Sequence, residues 1–301
     1  MKKITVFTPT YNRGYCLDLV YKSLCNQTSQ DFLWLVIDDG STDDTKELVE
    51  SWIKQNKILI QYHYKENGGM HTGHNTAHKL IETELNVCID SDDYMPDNAI
   101  ERILSLWEEF GGDSYAGIVG LDADVEGSII GIPFPETLKE CTYSELKPRF
   151  NVSGDKKSIY RTQVLKRYNE YPTFANEKFV PLYLPIVIDR DYKVLCFNEV
   201  FCIVDYMEDG STLNIFKQYL KNPKGFAHQR KIIMEYSPFL VDQFRNAVHY
   251  VSSSIVLKNG KFISESPKIF LTIIAIPAGV LLYFYTKYRN RNNHIKDKLE
   301  N

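Results

Sequence analysis

The sequence predicts an α/β protein built on a mainly parallel sheet, and three observations support this fold class. Short apolar runs alternate with segments of helical spacing over the first 110 residues. The run at residues 33–37 is apolar throughout, which is typical of a strand buried on both faces of a parallel sheet. Polar loops follow three of the apolar runs. Because a βαβαβαβ series requires parallel strands with right-handed crossovers, these loops should emerge at one edge of the sheet.

The elements of the first 110 residues follow from this alternation. The predicted strands are residues 4–8, 33–37, 58–63 and 86–89, and the predicted helices cover or centre on residues 17–24, 48–53, 73–84 and 100–107. The first strand ends in a turn at Pro9. Thr42 or Asp43 can cap the second helix, and Asp97 can cap the fourth.

Beyond residue 112 the pattern weakens. Residues 116–121 and 128–132 read as strands around a turn at Glu126-Gly127. Residues 159–165 and 194–204 indicate further strands or short helices. Residues 217–251 have a mixed pattern that is helical in part, with a break at residues 222–225 that contains Pro223.

The composition bears on compartment and partners. A net charge of only -4 gives no support for nucleic-acid binding, which usually needs a basic face. The six cysteines lie far apart and form no Cys-x-x-Cys pair, so redox or metal spacing is absent and a reducing, cytosolic environment is expected. Cys88 and Cys202 lie in apolar runs and should be buried free thiols. Residues 1–7 turn too soon into Pro9 to form a signal peptide.

One C-terminal segment departs from the average composition. Residues 269–285 form a run of 17 residues without a charge, followed by a basic segment at residues 287–291. As a helix this run would reach about 25 Å, short of the ~30 Å hydrocarbon core. Pro277 and Gly279 invite a kink or a reversal. With both flanks on the cytosolic side, a re-entrant or interfacial hairpin fits better than a single span, and a buried core helix is the alternative.

The segment Asp90-Ser91-Asp92-Asp93 follows the fourth strand and carries three carboxylates within four residues. Such charges repel and raise each other's pKa unless a cation lies among them. Mg²⁺ and Mn²⁺ prefer oxygen ligands, commonly one or two carboxylates together with substrate phosphates. The alternative is an acidic turn that caps the next helix.

Two further polar loops should lie beside this acidic loop. They are residues 8–13, with the sequence Thr-Pro-Thr-Tyr-Asn-Arg, and residues 38–41, with the sequence Asp-Asp-Gly-Ser. Open α/β sheets bind ligands outside the carboxyl ends of their strands. The three loops therefore define one candidate ligand site.

These motifs, in this order and spacing, resemble glycosyltransferase family 2, whose members are inverting enzymes of GT-A fold. Residues 8–13 resemble the opening motif of the family, residues 36–43 its second motif, and residues 90–93 its metal-binding Asp-x-Asp element. Asn67-Gly68-Gly69 followed by Asn75 resembles the segment between them. More loosely, residues 176–179 resemble the acidic motif that carries the base. Residues 206–211 are similar to a segment of bacterial capsule and cell-wall polysaccharide enzymes.

The resemblance implies a metal-dependent transferase that moves a sugar from a UDP-sugar to a saccharide acceptor, expected to be lipid-linked, in cell-surface polysaccharide synthesis. The implied cofactor is Mn²⁺ or Mg²⁺. The implied organisation is a nucleotide-sugar-binding half (1–112), an acceptor-binding and catalytic half (113–215), a helical extension (216–268) and a membrane-associated segment with a basic tail (269–301). The protein would lie at the inner face of the cell membrane, held there by residues 269–285.

The resemblance also implies roles for single residues. The nucleotide-binding residues would be Thr8, Pro9, Tyr11, Arg13, Asp39, Asn75, Asp90 and Ser91. Tyr11 would stack on uracil, unless it only closes a hydrophobic loop. An ionised Asp39 can accept the uracil N–H, unless Asp38 or Asp39 caps the following helix. Relatives often carry Lys after Gly-Gly where this chain has Met70, so a cation near the diphosphate is missing here unless a protonated His71 supplies it.

The catalytic roles fall on carboxylates. Asp92 would bind the metal, and Asp90 would contact the metal or the ribose. Asp93 could support either of them, contact the acceptor or cap a helix. Glu177 is the candidate general base, unless it is only an exposed loop residue, and Asp189 and Asp191 are reserve candidates.

Three histidines lie close together in the sequence, at residues 71, 74 and 78. His74 and His78 are four residues apart, but no Glu or third His at metal spacing accompanies them, so they should pack or line the donor pocket with His71 rather than bind zinc. A non-catalytic nucleotide-sugar-binding scaffold is the alternative function. A dinucleotide-dependent oxidoreductase is rejected, because no Gly-x-Gly-x-x-Gly turn follows the first strand.

Overall fold

The structure, a computed structural model, describes residues 2–205 and 215–299, with side chains described as far as residue 291. The first half contains β1 (Ile4–Thr10), α1 (Asp18–Cys25), β2 (Phe32–Asp38), α2 (Thr45–Gln55), β3 (Ile60–Tyr64), α3 (Met70–Leu80), β4 (Leu85–Cys88) and α4 (Ala99–Phe110). The remainder contains β5 (Tyr115–Asp124), β6 (Glu140–Cys141), α5 (Leu146–Phe150), β7 (Lys156–Arg161), α6 (Thr162–Leu165), α7 (Leu184–Ile188), β8 (Lys193–Val204), α8 (Ile215–Lys221), α9 (Pro223–Tyr236), α10 (Leu240–Val256) and α11 (Ile269–Leu299). The predicted motif at residues 206–211 lies outside the described residues.

The strands form one sheet with the order β3-β2-β1-β4-β7-β5-β8-β6. The first four strands are mutually parallel, which confirms the predicted βαβαβαβ unit. β7 is antiparallel to both β4 and β5, whereas β5 and β8 are parallel. This order places the carboxyl ends of β1, β2 and β4 at one edge.

A large apolar core lies between the sheet and helices α1, α2 and α4. Its aromatic centre is the ring of Tyr21 on α1, which stacks on Trp52 of α2 with centroids 4.4 Å apart. Trp34 of β2 is fully buried beside them. The apolar spacing that predicted the first two helices therefore corresponds to buried faces.

Some predicted elements are wrong or shifted. Residues 128–132 do not form a strand: they make isolated bridges at Ile129 and Ile132, and Gly131 has φ +76°, outside the strand region. α3 begins at Met70 rather than at residue 73. The predicted break near Pro223 is real, because α8 ends at Lys221 and Pro223 is the first residue of α9.

The C-terminal apolar segment forms one helix of 31 residues, with Pro277 inside it. The expected reversal at Pro277 and Gly279 is therefore wrong. Pro277 lies on the exposed side of α11, so the carbonyl of Ile273, which its missing N–H leaves free, is not trapped in the protein interior. A buried core helix is also wrong, because only 22% of the apolar window is buried.

The chain divides into two compact units. The first comprises Met1–Glu170 and Ile188–Met207, and the second comprises Tyr171–Val187 and Glu208–Asn301. These units do not test the functional regions expected from the sequence, which stay a prediction. All six cysteines are free thiols; Cys202 is fully buried, as predicted, and Cys88 is only partly buried.

Candidate functional site

The loops that follow β1 and β2 are joined by hydrogen bonds. The backbone N–H of Asn12 donates to Ser41 Oγ at 2.9 Å, and the N–H of Thr42 donates to Asn12 Oδ1 at 2.7 Å. The N–H of Gly14 donates to Asp43 Oδ2 at 3.0 Å. Asn12 has φ +52°, a left-handed conformation that asparagine tolerates well. The two loops therefore form one surface at the carboxyl edge of the sheet.

The loop after β4 joins this surface through an ion pair. Arg13 Nη1 lies 3.5 Å from Asp92 Oδ2, and both side chains are less than one-fifth exposed. Arg13 also donates to the hydroxyl of Tyr15 at 2.7 Å. The three loops that follow β1, β2 and β4 thus lie together, as the predicted sheet requires.

The predicted ligand residues of the opening motif differ in burial. Thr8 and Pro9 lie in β1, because this strand continues to Thr10 and does not end in the turn expected at Pro9. Thr8 is fully buried and accepts a hydrogen bond from Trp34 Nε1 at 3.0 Å, so it supports the loop from the core. Pro9 packs on α3, where a Cβ added at Gly73 would lie 3.1 Å from Pro9 Cβ. Tyr11 is 48% exposed. Its ring is therefore accessible to a ligand, and its stacking role stays a prediction.

Asp38 and Asp39 are both buried, and neither caps α2. Asp38 accepts from the N–H of Ser41 at 2.7 Å and from the hydroxyl of Tyr62 at 2.5 Å. Burial and, next, the Asp38 carboxylate raise the pKa of Tyr62. At the start of α2, the hydroxyl of Thr45 donates a hydrogen bond to Asp43 Oδ1 at 2.6 Å.

Asp39 organises the turn that precedes α3. It accepts from the N–H groups of Gly68 at 2.9 Å and Gly69 at 2.6 Å, from Asn67 Nδ2 at 3.2 Å, and from the Lys65 ammonium. These donors engage both of its oxygens. A base-reading role for Asp39, expected from the sequence, therefore requires that a nucleobase replaces one of these donors, and it stays a prediction.

The cation of this region is Lys65, which the sequence analysis missed. Lys65 Nζ contacts Asp39 and donates to Thr72 Oγ1 at 2.8 Å. Of the two alternatives for a cation near the diphosphate, a protonated His71 is the less favoured, because burial lowers the pKa of His71 to about 4. His71 is fully buried, and its two ring nitrogens have no hydrogen-bond partner among the described residues.

Two further histidines of α3 pack against β1. The rings of His74 and His78 pack edge-on against Phe7, with centroids 5.2 and 5.8 Å away. Burial lowers their pKa values to about 4 and about 3, so both are neutral at pH 7. This packing agrees with the prediction that these histidines pack or line the donor pocket rather than bind zinc. Asn75 is buried on the same helix.

The acidic loop presents its carboxylates at different depths. Asp90 is exposed and accepts a weak hydrogen bond from the Cys88 thiol at 3.8 Å. Ser91 is buried, Asp92 is partly buried beside Arg13, and Asp93 is only 5% exposed. The N–H of Asp93 donates to the carbonyl of Asp90 at 3.1 Å, which closes the turn.

A buried lysine balances the inner part of this loop. Lys157 Nζ on β7 lies 3.8 Å from Asp93 Oδ2. Burial, together with Asp90 and Asp92, raises the pKa of Asp93 to about 7, although Lys157 opposes the change. On β5, burial raises the pKa of Asp122 to about 6. Burial lowers the pKa of Lys157, but its interactions with Cys202 and then with Asp122 and Asp93 raise that pKa above its ordinary value, so Lys157 stays charged.

No local pattern predicts the roles of Lys157 and Asp122, because their placement depends on β7 pairing between β4 and β5. Asp122 Oδ1 has no hydrogen-bond partner within the described ranges. These two side chains of the sheet lie close to the acidic loop.

The donor set of the acidic loop fits a hard divalent cation that also binds phosphate. Among the residues that the structure describes, no group of three or more His, Cys, Asp or Glu side chains could hold a metal by itself. A metal ion bound here would have Asp92, or Asp92 and Asp90, as its protein ligands. One or two carboxylates are usual for Mg²⁺ sites that take their further ligands from substrate phosphates and water.

The general-base candidates all have partners. Glu177 lies in the second unit, 8% exposed, and accepts from the N–H groups of Lys224 at 2.9 Å and Gly225 at 2.8 Å. It is therefore bound to the first turn of α9 and is not an exposed loop residue. In the first unit, Asp189 accepts from the N–H groups of residues 143 and 144, each at 2.7 Å. Asp191 accepts from the hydroxyl of Tyr168 at 2.8 Å.

The chain is similar in sequence to known glycosyltransferases. A family model described as Glycosyl transferase family 2 matches residues 5–166. Poly(ribitol-phosphate) beta-N-acetylglucosaminyltransferase TarP of Staphylococcus aureus is 27% identical over 236 residues, 72% of this chain and 67% of the relative. GalNAc(5)-diNAcBac-PP-undecaprenol beta-1,3-glucosyltransferase of Campylobacter jejuni is 25% identical over 245 residues, 77% of this chain and 74% of the relative.

Other matches are partial or structural. An uncharacterized glycosyltransferase of Rickettsia bellii is 33% identical over 147 residues, 46% of this chain, and the match spans only 21% of that relative's length. The crystal structure of S. aureus TarS 1-349 in complex with UDP-GlcNAc has a TM-score of 0.58 at 19% identity, covering 97% of this chain and 92% of that one. This likeness shows the fold.

Proposed function

Because its family model matches more than half of the chain, this protein belongs to glycosyl transferase family 2, and from that premise we propose that it transfers a sugar from a UDP-sugar to a saccharide acceptor with inversion. The GT-A fold predicted from the sequence is confirmed by the likeness to TarS. The observation that carries the proposal is the Arg13–Asp92 ion pair, because it joins the opening loop to the acidic loop at the ligand-binding edge of the sheet.

For the nucleotide, we propose that uracil stacks on the exposed ring of Tyr11, a contact worth about 1–3 kcal/mol per base. Thr8 and Pro9 hold that loop on the core and on α3. Asp39 fixes the turn at residues 67–69 beside it, and its reading of the uracil N–H stays a prediction. Asn75 completes the proposed set on α3.

For the diphosphate, we propose that Asp92 and Asp90 hold Mn²⁺ or Mg²⁺, with Ser91 and Asp90 toward the ribose. A bound divalent cation would neutralise the charge that develops on the departing UDP. Arg13 holds the Asp92 carboxylate near the opening loop. Lys157, whose ammonium lies 3.8 Å from Asp93 Oδ2, offsets the repulsion among the carboxylates of this loop.

For the acceptor hydroxyl, we propose that Glu177 acts as the general base from its position at the start of α9. Each of its oxygens accepts one backbone N–H, and an ionised carboxylate oxygen has a second lone pair. That lone pair could take the hydroxyl proton as the oxygen attacks C1 from the face opposite UDP. Such a base contributes about 10²–10⁴-fold to the rate.

The acceptor class follows from the names of two relatives. TarP is named for poly(ribitol-phosphate), and the Campylobacter enzyme for an undecaprenol diphosphate-linked saccharide. We propose a lipid-linked or phosphate-containing saccharide of the cell surface. Residues 113–215 would bind it, and residues 269–285 would hold the protein at the inner face of the cell membrane. The apolar helix within Ile269–Arg291 supports membrane association by length and composition.

Calorimetric titration tests the donor proposal. The purified chain is titrated with UDP, GDP and ADP, each with and without Mn²⁺. Selective UDP binding that weakens at least tenfold without the metal is the expected result. Binding that is indifferent to both base and metal would remove the roles of Tyr11 and Asp92. Selective binding without any sugar transfer to extracted acceptors would favour the non-catalytic scaffold.

A further inference from the structure

α11 carries a long uncharged surface. From Ile269 to Thr286 it has no Asp, Glu, Lys or Arg, and its apolar window has a mean hydropathy of 2.0. Basic side chains stand at both ends: Lys268 immediately before it, and Lys287 and Arg289 after the apolar part. Length and composition alone would allow this helix to cross a bilayer.

One side of α11 packs on the protein through small residues. Among the α11 side chains that the structure describes, the buried ones are Thr272, Ala275, Gly279 and Thr286, and their spacing of three, four and seven places them on one face. Gly279 fits tightly against α10, because an added Cβ would lie 2.5 Å from Val251 Cβ. The two helices are therefore in close contact along this face.

The opposite side is a stripe of large apolar side chains. The exposed fractions are 84% for Phe270, 66% for Ile274, 71% for Leu281, 62% for Phe284 and 62% for Tyr288. Steps of three, four and seven residues keep these side chains on one face, over a length of about 27 Å. An apolar stripe of this size facing outward marks an interaction surface.

The charged side chains of α10, which packs on α11, limit how α11 can be oriented in a membrane. α10 carries the ion pair of Arg245 with Asp242, and its Asn246 accepts from Arg230 of α9 at 3.1 Å. If α11 crossed a bilayer in this packing, these charged groups would be drawn to hydrocarbon depth, which is strongly unfavourable. A helix lying parallel to the surface buries the stripe and leaves α10 in water.

We propose that α11 lies in the plane of an anionic phospholipid bilayer, with the stripe at residues 270, 274, 281, 284 and 288 immersed at the headgroup–acyl boundary. Lys268, Lys287 and Arg289 would bind the anionic headgroups at the two ends. The assignment of this partner rests on the proposed function, whereas the orientation rests on the packing of α11 alone.

Vesicle flotation of the full chain tests the binding. The protein should bind vesicles containing phosphatidylglycerol and bind pure phosphatidylcholine much less. The double variant Ile274→Asp/Leu281→Asp should lower the partition coefficient by more than about tenfold. The matched control is Leu59→Asp in the first unit, where the parent side chain is 50% exposed; it should bind like the parent. A parent-like partition coefficient for the double variant would overturn the proposal.

Depth measurements separate the orientations. Phe270→Trp and Leu281→Trp are read by brominated-lipid quenching, with the quenching of the parent protein subtracted. In-plane placement requires both to be quenched most by shallow bromines; deeper quenching of Leu281→Trp alone would indicate a spanning helix and refute the orientation. A dimer in solution that does not bind vesicles would instead assign the stripe to a second copy. UDP titration of the double variant should match the parent, so failure of UDP binding would count only against the proposed function.

Discussion

Replacing Glu177 with glutamine separates a general base from a helix cap. The carboxylate holds the N–H groups of Lys224 and Gly225 while it is only 8% exposed. Hydrogen bonds to a charged group contribute about 1.5–3 kcal/mol each. Glutamine keeps one acceptor oxygen and turns its NH₂ group toward a second N–H, so one of these bonds is lost and a donor is left unpaired. We expect Glu177→Gln to lower the free energy of unfolding by roughly 2–4 kcal/mol.

The base role adds a loss of rate to this loss of stability. At a temperature well below the melting point of the variant, kcat for sugar transfer should fall by about 10²–10⁴-fold. The Kd for UDP should stay within about twofold of the parent value, because the nucleotide loops belong to the first unit. Thermal unfolding, steady-state transfer assays and UDP calorimetry on the same preparation give the three quantities.

Asn222→Ala supplies the matched control. The Asn222 side chain accepts from the N–H of Lys178 at 3.0 Å and donates to Gln218 at 2.8 Å, so its loss disturbs the same start of α9 without touching the Glu177 carboxylate. This variant should lose stability and keep a kcat within about threefold of the parent. If Asn222→Ala and Glu177→Gln lose turnover equally, or if Glu177→Gln turns over normally, Glu177 is a cap and the base lies elsewhere.

Four further outcomes are expected. Asp92→Asn should abolish metal-stimulated transfer, measured as released UDP, while the fold stays intact by circular dichroism; full activity would remove the metal assignment. Tyr11→Ala should weaken UDP binding by about 5–150-fold, the equivalent of 1–3 kcal/mol, and an unchanged Kd would exclude stacking on that ring. Lys157→Met leaves the buried carboxylates of Asp93 and Asp122 without their cation, so it should lower the free energy of unfolding by about 3–5 kcal/mol at pH 8. The loss should be smaller at pH 5, where those carboxylates are protonated. Urea unfolding at both pH values checks this, and an equal loss at both would contradict the charge balance. His71 has a folded pKa of about 4, below its unfolded value, so its neutral form stabilises the fold above pH 6.5 and this stability is lost as the pH falls toward 4. His71→Phe should make the slope of unfolding free energy against pH shallower by about 1.4 kcal/mol per pH unit in that range. An unchanged slope would show that His71 titrates normally.

Local patterns were sufficient for the first half of the sheet and its loops. Apolar spacing placed β1, β2, β3 and β4, and the parallel-strand rule brought the loops at residues 8–13, 38–41 and 90–93 to one edge. Burial on one helix face repeats every few residues, so a short window of sequence contains the signal. Family resemblance then supplied the roles expected for these loops.

Contacts between distant segments decided the rest. Lys157 and Asp122 reach the acidic loop only because β7 inserts antiparallel between β4 and β5. Glu177 meets a helix N-terminus 47 residues away, and Gly279 fits α11 against α10. The sequence by itself determined which loops share the sheet edge, because side-chain periodicity is local. Only the tertiary structure decided which buried charges balance those loops and which face of α11 stays outward, because pairing and packing between distant segments leave no periodic signal in the sequence.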